Sequence, residues 1–402
     1  MSLSRNKAFF LQASIVVSFL AGSSAPTPLY AVYQAAWGFS PITTTVVFGV
    51  YALAVLAALL VLGSLSDYVG RRPVLFGAAL LQAATMLVFA TAHGVASLLV
   101  ARVIQGLATG AAVSAVGAGM IDIDRARGAT ANAVGPMLGS ATGGLVSGLF
   151  VQYLPAPTVL VYAVLGVVFV AQAFGVLAMT ETSARRSGAL ASLRPHVALP
   201  AALARPMLLA APAIVGTWAL VGFYASLGPT LLRELVVGGS RLLGGLALFT
   251  LAGTGALAVF SLRAFSPQNL MKIGTATLIA GVGLTLASVA AHSVPAFFLG
   301  TALSGAGFGP AFQGAVRSVI PLAAAHERAG ALSVLYVVAY LAMGLPAVLA
   351  GVGVVFGGGV VRTADAYGAA VMLLSALALA GSVFARASSA LARPVDAIPS
   401  RP

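Results

Sequence analysis

Of the chain's 402 residues, 60% are hydrophobic and only 7% are charged, against roughly a quarter charged in an ordinary soluble protein. Mean hydropathy is +1.04. These values exclude a soluble globular enzyme, a disordered protein and a DNA-binding domain, and leave a polytopic helical membrane protein. The net charge of +13 comes from 21 Lys and Arg. They sit mostly in short gaps between apolar runs, with no basic stripe interleaved with aromatics. They read as loop anchors and not as a nucleic-acid surface. The chain has no Cys and four scattered His, so disulfides and thiolate chemistry are excluded and a zinc site is not expected. It also has no Walker-type phosphate loop and no nucleophile–base pair. Neither an ATP-driven pump nor a membrane enzyme is expected, and no cofactor is called for.

Apolar runs fall at 8–34, 42–66, 73–92, 95–119, 129–151, 157–179, 207–231, 240–262, 269–291, 294–317, 329–356 and 366–387. Each is long enough for a bilayer core that takes roughly 20 residues per helix. The strand alternation of a β-barrel is absent. The expected fold is all-α, with twelve transmembrane helices in two six-helix, pseudo-symmetric bundles. With both termini inside, 17 of the Lys and Arg fall on the inner side and only Arg233, Arg241 and Arg362 on the outer side. The remaining one, Arg102, lies within the fourth run. This split sets the orientation. Arg5 and Lys7 precede a first run that outlasts a signal-peptide core and lacks a convincing cleavage site, so it is expected to be retained.

The first run contains Gly22-Ser23-Ser24-Ala25-Pro26-Thr27-Pro28-Leu29-Tyr30. Pro26 and Pro28 remove backbone donors, and a regular helix cannot continue through both. Unsatisfied backbone at membrane depth belongs beside a cavity or inside protein. A bend or unwound segment is therefore expected, either facing a central path with Tyr30 and Tyr33 nearby or kinking near the outer end without touching substrate.

Between the second and third runs lies Gly63-Ser64-Leu65-Ser66-Asp67-Tyr68-Val69-Gly70-Arg71-Arg72-Pro73. Gly70 permits a tight turn, and Pro73 suits the first turn of a helix. Asp67, at a helix carboxyl end, opposes the macrodipole and needs a partner, either a neighbouring Arg or another helix's amino end. This segment resembles the GxLxDxxGRR loop signature of the major facilitator superfamily. The resemblance implies that Gly63, Asp67, Gly70, Arg71 and Arg72 form a cytoplasmic latch between two halves. The plain alternative is a topogenic turn. The corresponding segment of the second half, residues 262–272, keeps only Arg263 and Lys272.

In the fourth run, Arg102-Val103-Ile104-Gln105-Gly106 places Arg102 and Gln105 on one face. An Arg within a membrane helix is costly and points to function. The segment resembles the superfamily's RxxQG motif, which implies a role in the translocation path and in proton transfer. Two simpler roles compete: snorkelling to the outer surface, or tying this helix to the broken backbone of the first.

The fifth run carries Gly135, Pro136, Gly139 and Gly143, two successive GxxxG steps that let helix backbones approach closely. It resembles the GPxxGG signature of drug–proton antiporters, but Ser140 replaces one Gly and Ala131 another. Generic close packing explains part of the pattern.

The polar break 180–206, with four Arg and three Pro, reads as a cytoplasmic linker dividing an N-terminal bundle, 1–179, from a C-terminal bundle with a short tail, 207–402. A shift of 199 lays Gly106 on Gly305 and Gln105 on Ser304, and the following loops match as Arg127-Gly128 and Arg328-Ala329. Such a duplication places a substrate path at the repeat interface. In the family's arrangement the first, fourth, seventh and tenth helices surround that path. This adds Thr109, Trp218, Tyr224, Thr301, Ser304, Phe308, Phe312 and Gln313 to Pro26, Tyr30 and Tyr33 as cavity candidates, an aromatic and weakly polar set. None of the eight acidic residues sits clearly mid-membrane, so Asp67, Glu234 or Asp365 would have to carry any proton coupling. The substrate is expected to be neutral, zwitterionic or anionic.

The expectation is a secondary transporter of the bacterial inner membrane, with both termini cytoplasmic, acting as a monomer among membrane lipids. It exports a small amphiphilic, non-cationic solute by alternating access in exchange for protons. A proton-symport uptake permease is the first alternative, and a non-transporting membrane sensor or scaffold is the alternative of a different class.

Overall fold

The computed structural model describes residues 3–236, 240, 242–324 and 326–391. Arg241, on the outer side by sequence, and Arg393 and Arg401, among the 17 on the inner side, lie outside the described residues. No strand occurs among the described residues. Before the linker come α1 (Arg5–Ser24), α2 (Pro26–Trp37), α3 (Pro41–Leu62), the short α4 (Leu65–Val69), α5 (Arg71–Ala90), α6 (Val95–Ile123), α7 (Arg125–Tyr153) and α8 (Pro157–Leu177). The linker carries one turn of helix, α9 (Ala189–Ser192). After it come α10 (Ala201–Ser226), α11 (Gly228–Leu235), α12 (Leu242–Ser261), α13 (Pro267–Ala290), α14 (Val294–Val319), α15 (Arg328–Phe356) and α16 (Val360–Leu391).

Local chemistry sets many of these starts. Ser4, Asp124, Ser266 and Ser293 accept from backbone N–H groups three residues on, as N-caps do. Pro stands in the first turn of α3, α8, α13 and α14, where its missing N–H costs nothing. Helix α10 starts at Ala201, six residues inside the stretch read as linker. Ala201, Ala202, Leu203 and Ala204 are strong helix formers and carry the helix back past Pro206.

Eleven described helices, with α1 and α2 taken as one, are long and apolar enough to cross a membrane. The chain is a multi-pass membrane protein. Helix α14 has the length, 26 residues, but its five Gly and its Ser and Thr residues lower its hydropathy. Its small face is spent on packing: Gly300, Gly307 and Gly314 lie against the backbone of α13.

Helices α1, α3, α5, α6, α7 and α8 pack into one group, and α10, α12, α13, α14, α15 and α16 into another. Two seams join the groups, α7 with α12 and α3 with α15. In the second seam, Thr45 meets Gly351, and Gly49 and Ala52 meet Gly344. Thr45 and Gly351 lie toward the ends of α3 and α15 remote from the linker, and Ala52 and Gly344 near the middles of the two helices. The first apolar run of each group is broken at one residue, Ala25 between α1 and α2 and Leu227 between α10 and α11. This repeats the spacing of the sequence duplication.

The linker touches both groups. Arg186 N–H donates to the Tyr68 carbonyl at 2.8 Å, and the Ser64 hydroxyl donates to the Ser192 carbonyl at 3.1 Å. Further on, His196 and Ala198 lie against Gly330 at the start of α15.

Candidate functional site

Pro26 has no N–H, so the Gly22 carbonyl one turn earlier has no helical donor. Gln105 Nε2 of α6 donates to that oxygen at 2.9 Å. The neighbouring Ser23 carbonyl accepts from Arg102 Nη1 at 2.9 Å, and the Ala25 carbonyl accepts from the Ser147 hydroxyl of α7 at 2.6 Å. The break is thus satisfied by side chains from two neighbouring helices, and the chain resumes helix at once instead of unwinding.

Arg102 is fully buried, which excludes snorkelling. Its Nε and Nη2 donate to the Tyr30 hydroxyl at 2.8 and 2.6 Å, and Nη1 also donates to Gln105 Oε1 at 2.6 Å. The guanidinium carbon lies 5.5, 5.0 and 5.8 Å from the ring centroids of Tyr30, Tyr51 and Phe89, within cation–π range. Among the described residues no carboxylate pairs with Arg102; the ion pairs there all involve Arg71. Arg102 is therefore a fixed positive charge, spread over oxygens and rings, that clamps α6 to the helix break. Tyr51 and Phe89 were not legible in the sequence, because their contacts form only once α3 and α5 pack on α6.

The other cavity candidates divide into two sets. Tyr33 faces the interior of the first group, stacked on Trp37 at 4.7 Å and near the Tyr162 hydroxyl at 3.4 Å. Tyr224 is buried in the second group, its hydroxyl 2.8 Å from Thr285 Oγ1. Thr301 donates to the Phe297 carbonyl at 2.8 Å, and Ser304 packs on Gly281 of α13. Thr109 and Pro26 are also buried. Trp218, Phe308, Phe312 and Gln313 are half-buried. Trp218 joins Phe312 at 5.5 Å and Tyr340 at 4.8 Å, beside Phe48 and Ala52 of α3. Tyr340 and its neighbour Tyr336, absent from the sequence candidates, belong with this aromatic set.

At the loop between α3 and α5, Gly63 ends α3, and Gly70 turns the chain at φ +101°, a region that favours Gly. The partner of Asp67 is the neighbouring Arg71, whose Nη1 lies 2.5 Å from the carboxylate. Arg71 also reaches Asp122 at the end of α6, at 3.3 Å, and donates to Ser66 Oγ at 2.7 Å. Glu181, the second linker residue, accepts from the backbone N–H groups of Arg71 and Arg72 at 2.7 and 3.1 Å. Its carboxylate thereby meets the positive end of α5. A Cβ on Gly70 would stand 2.5 Å from Glu181 Oε2. Arg72 donates to the Leu177 carbonyl at the end of α8. Among the described residues, these ion pairs join only α4, α5 and α6. In this arrangement the network closes within the first group and does not reach across to the second.

Gly106 lies against the Tyr51 carbonyl and Ala54 of α3. On α7 the glycines serve two partners. Gly135, Gly139 and Gly143 lie against Val16, Val17 and Ala21 of α1. Gly144 and Gly148, one position round the helix, lie against Gly245 and Leu248 of α12. The antiporter-like face is therefore internal to the first group, and the adjacent face forms a seam. Pro136 lies within α7 beside them.

Two solved structures share this fold. The crystal structure of a variant of the nucleoside transporter NupG matches 93% of this chain and 99% of its own, with a TM-score of 0.72 at 13% identity. That of the human organic anion transporter MFSD10 (TETRAN) matches 94% of this chain and 100% of its own, with a TM-score of 0.64 at 18% identity. No curated protein matches. A family model described as Major Facilitator Superfamily matches residues 13–283, two-thirds of the sequence and spanning the break, the charged loop, the Arg102 clamp and both α7 faces. The chain belongs to the Major Facilitator Superfamily of transporters.

Proposed function

We propose that the protein is a twelve-span secondary transporter that exports a small, non-cationic organic solute by alternating access, in exchange for protons. The helices before and after the linker are the two six-helix halves, and both termini and the linker are cytoplasmic. The observation that carries the substrate class is the inventory of buried charge. Among the described residues, the buried charged side chains are Arg71, paired with Asp67 and Asp122, and Arg102, which has no carboxylate partner. A permanent cation entering between the halves would meet a fixed positive charge and no counter-charge, at the low dielectric that makes this costly. The two structural neighbours are named for nucleosides and for organic anions, classes in keeping with this reading. The Gly135–Gly144 resemblance supports export, and the contacts of Thr45 with Gly351 and Ala52 with Gly344 support a state closed on the face opposite the linker. The latch reading of Asp67, Arg71 and Arg72 then applies to the opposite state of the cycle.

Purified protein in proteoliposomes, screened with and without an imposed pH gradient, tests the proposal. Counterflow of a neutral or anionic solute that responds to the gradient is the expected result. A quaternary ammonium compound as the best substrate overturns the substrate class, and uptake toward the linker face overturns the direction.

A further inference from the structure

Where the two helix breaks face one another, on the side remote from the linker, the structure holds a crevice of about 70 Å³. That is room for several water-sized groups and too little for a whole organic solute. Both halves build it. Thr27, Tyr30 and Gln34 come from α2, Thr44 from α3, and Thr230 and Arg233 from α11. Among the described residues no carboxylate lines it; Glu234, next to Arg233 and exposed like it, is not part of its wall.

The lining carries several donors, some engaged within the wall and some free. Arg233 Nη2 donates to Thr230 Oγ1 at 3.1 Å, which leaves the Thr230 hydroxyl hydrogen free and holds the guanidinium beside the crevice. Gln34 donates through Nε2 to the Phe39 carbonyl at 3.1 Å. The Thr27 and Thr44 hydroxyls have no partner among the described residues. Behind the Tyr30 wall stands the fixed charge of Arg102, which donates twice to the Tyr30 hydroxyl. One guanidinium, Arg233, lines the crevice, and a second, Arg102, is buried behind the Tyr30 wall with its donors taken by Tyr30, Gln105 and the Ser23 carbonyl; among the described residues the lining holds hydroxyl donors and no acid.

We propose that this crevice is an anion-docking site that receives one carboxylate or similar oxyanion group, held by the Arg233 guanidinium and by the hydroxyls of Thr27, Thr44 and Thr230. Planar guanidinium forks match carboxylate geometry, and the volume admits the head group while leaving the body of a solute outside. The anionic group comes from one of two sources, the carboxylate of a transported solute or a free inorganic oxyanion. The first deepens the transporter reading and rests on it. The site itself is a binding property that stands without it.

The cysteine-free chain offers a local readout. Ala31 lines the crevice without a polar role. Ala31→Cys in the full-length protein in detergent is labelled with neutral N-ethylmaleimide, in the presence of sodium acetate, benzoate, phosphate or the neutral analogue benzamide. Ionic strength is matched with sodium chloride. Labelling is expected to slow severalfold with the oxyanions and not with benzamide. Arg233→Gln is expected to raise the half-protecting concentration by about tenfold or more, in line with the loss of a charge-assisted contact. Arg233→Lys keeps the charge without the fork and is expected to fall between. Protection by acetate and benzoate alone assigns the site to organic carboxylates, and equal protection by phosphate assigns it to free oxyanions. Labelling that none of the three anions slows, or protection that Arg233→Gln leaves intact, overturns the proposal. Because the readout is binding, failure of transport in liposomes leaves it standing, and active transport without protection removes only the docking site.

Discussion

Arg102 and Tyr30 provide the sharpest test of the clamp. Replacing Arg102 with Met leaves the Tyr30 hydroxyl and Gln105 Oε1 short of donors, at about 1–3 kcal/mol for each buried group. Removing a desolvated charge returns part of that, so the single substitution does not isolate the contact. A double-mutant cycle with Tyr30→Phe cancels those terms. Two donations at 2.8 and 2.6 Å from a buried guanidinium to one hydroxyl are charge-assisted, and such bonds contribute about 1.5–3 kcal/mol. Interhelical hydrogen bonds inside membrane proteins average about 0.6 kcal/mol. The expected coupling therefore stands clear of the ordinary value. It is read from unfolding free energies of the four proteins in mixed detergent and dodecyl sulfate micelles. A coupling at or below about 0.6 kcal/mol refutes the clamp and returns Arg102 to the role of an independent charge.

Four further outcomes follow from the geometry. Gly70→Ala is expected to destabilise by about 1–3 kcal/mol, because its positive φ with an extended ψ is a conformation essentially confined to Gly, with additional loss from displacing Glu181. Thermal unfolding checks this, and Glu181→Gln added to Gly70→Ala should cost little more. Ala52→Cys with Gly344→Cys, where the β-carbons would stand 3.5 Å apart, within disulfide range, is expected to form an oxidised cross-link that stops transport until reduced; normal transport by the cross-linked protein would mean that this seam does not open. Asp67→Asn is expected to slow turnover severalfold while membrane insertion, followed by yield in purified membranes, is unchanged. Gly143→Val is expected to abolish folded yield because its side chain would enter the backbone of α1 at Ala21, whereas Gly144→Ala, with Leu248 Cβ at 2.9 Å, should fold and alter transport rate.

Much of the helix order was legible because hydrophobic run length is a direct consequence of bilayer thickness. The break near Pro26 was legible too, since two missing N–H groups cannot be hidden. Its form was not: whether the chain unwinds depends on donors from α6 and α7, and Gln105, Arg102 and Ser147 reach it only through packing. Periodicity placed Gly139 and Gly143 on one face of α7 but could not say which helix that face meets. Tyr33 and Tyr224 were read as path residues from their helices alone. Rotation about the helix axis decides the matter, and both turn inward within their own half. Glu181 escaped notice because an acid just past an apolar run reads as a loop residue. Only the turn at Gly70 brings the start of α5 to it.

The linker sets a limit on travel. Residues up to Ser192 are stitched to the loop beneath α3, and those from His196 onward rest against Gly330 of α15. Four residue steps lie between the two anchorages, and a fully stretched chain of that length reaches roughly 13–14 Å. While both anchorages hold, the linker-side edges of the two helix groups are leashed to about that span. A wider excursion must first peel one end of the strap from its helix group, so how far this side gapes depends on how firmly the hydrogen bonds at Ser64 and Tyr68 and the close packing at Gly330 grip.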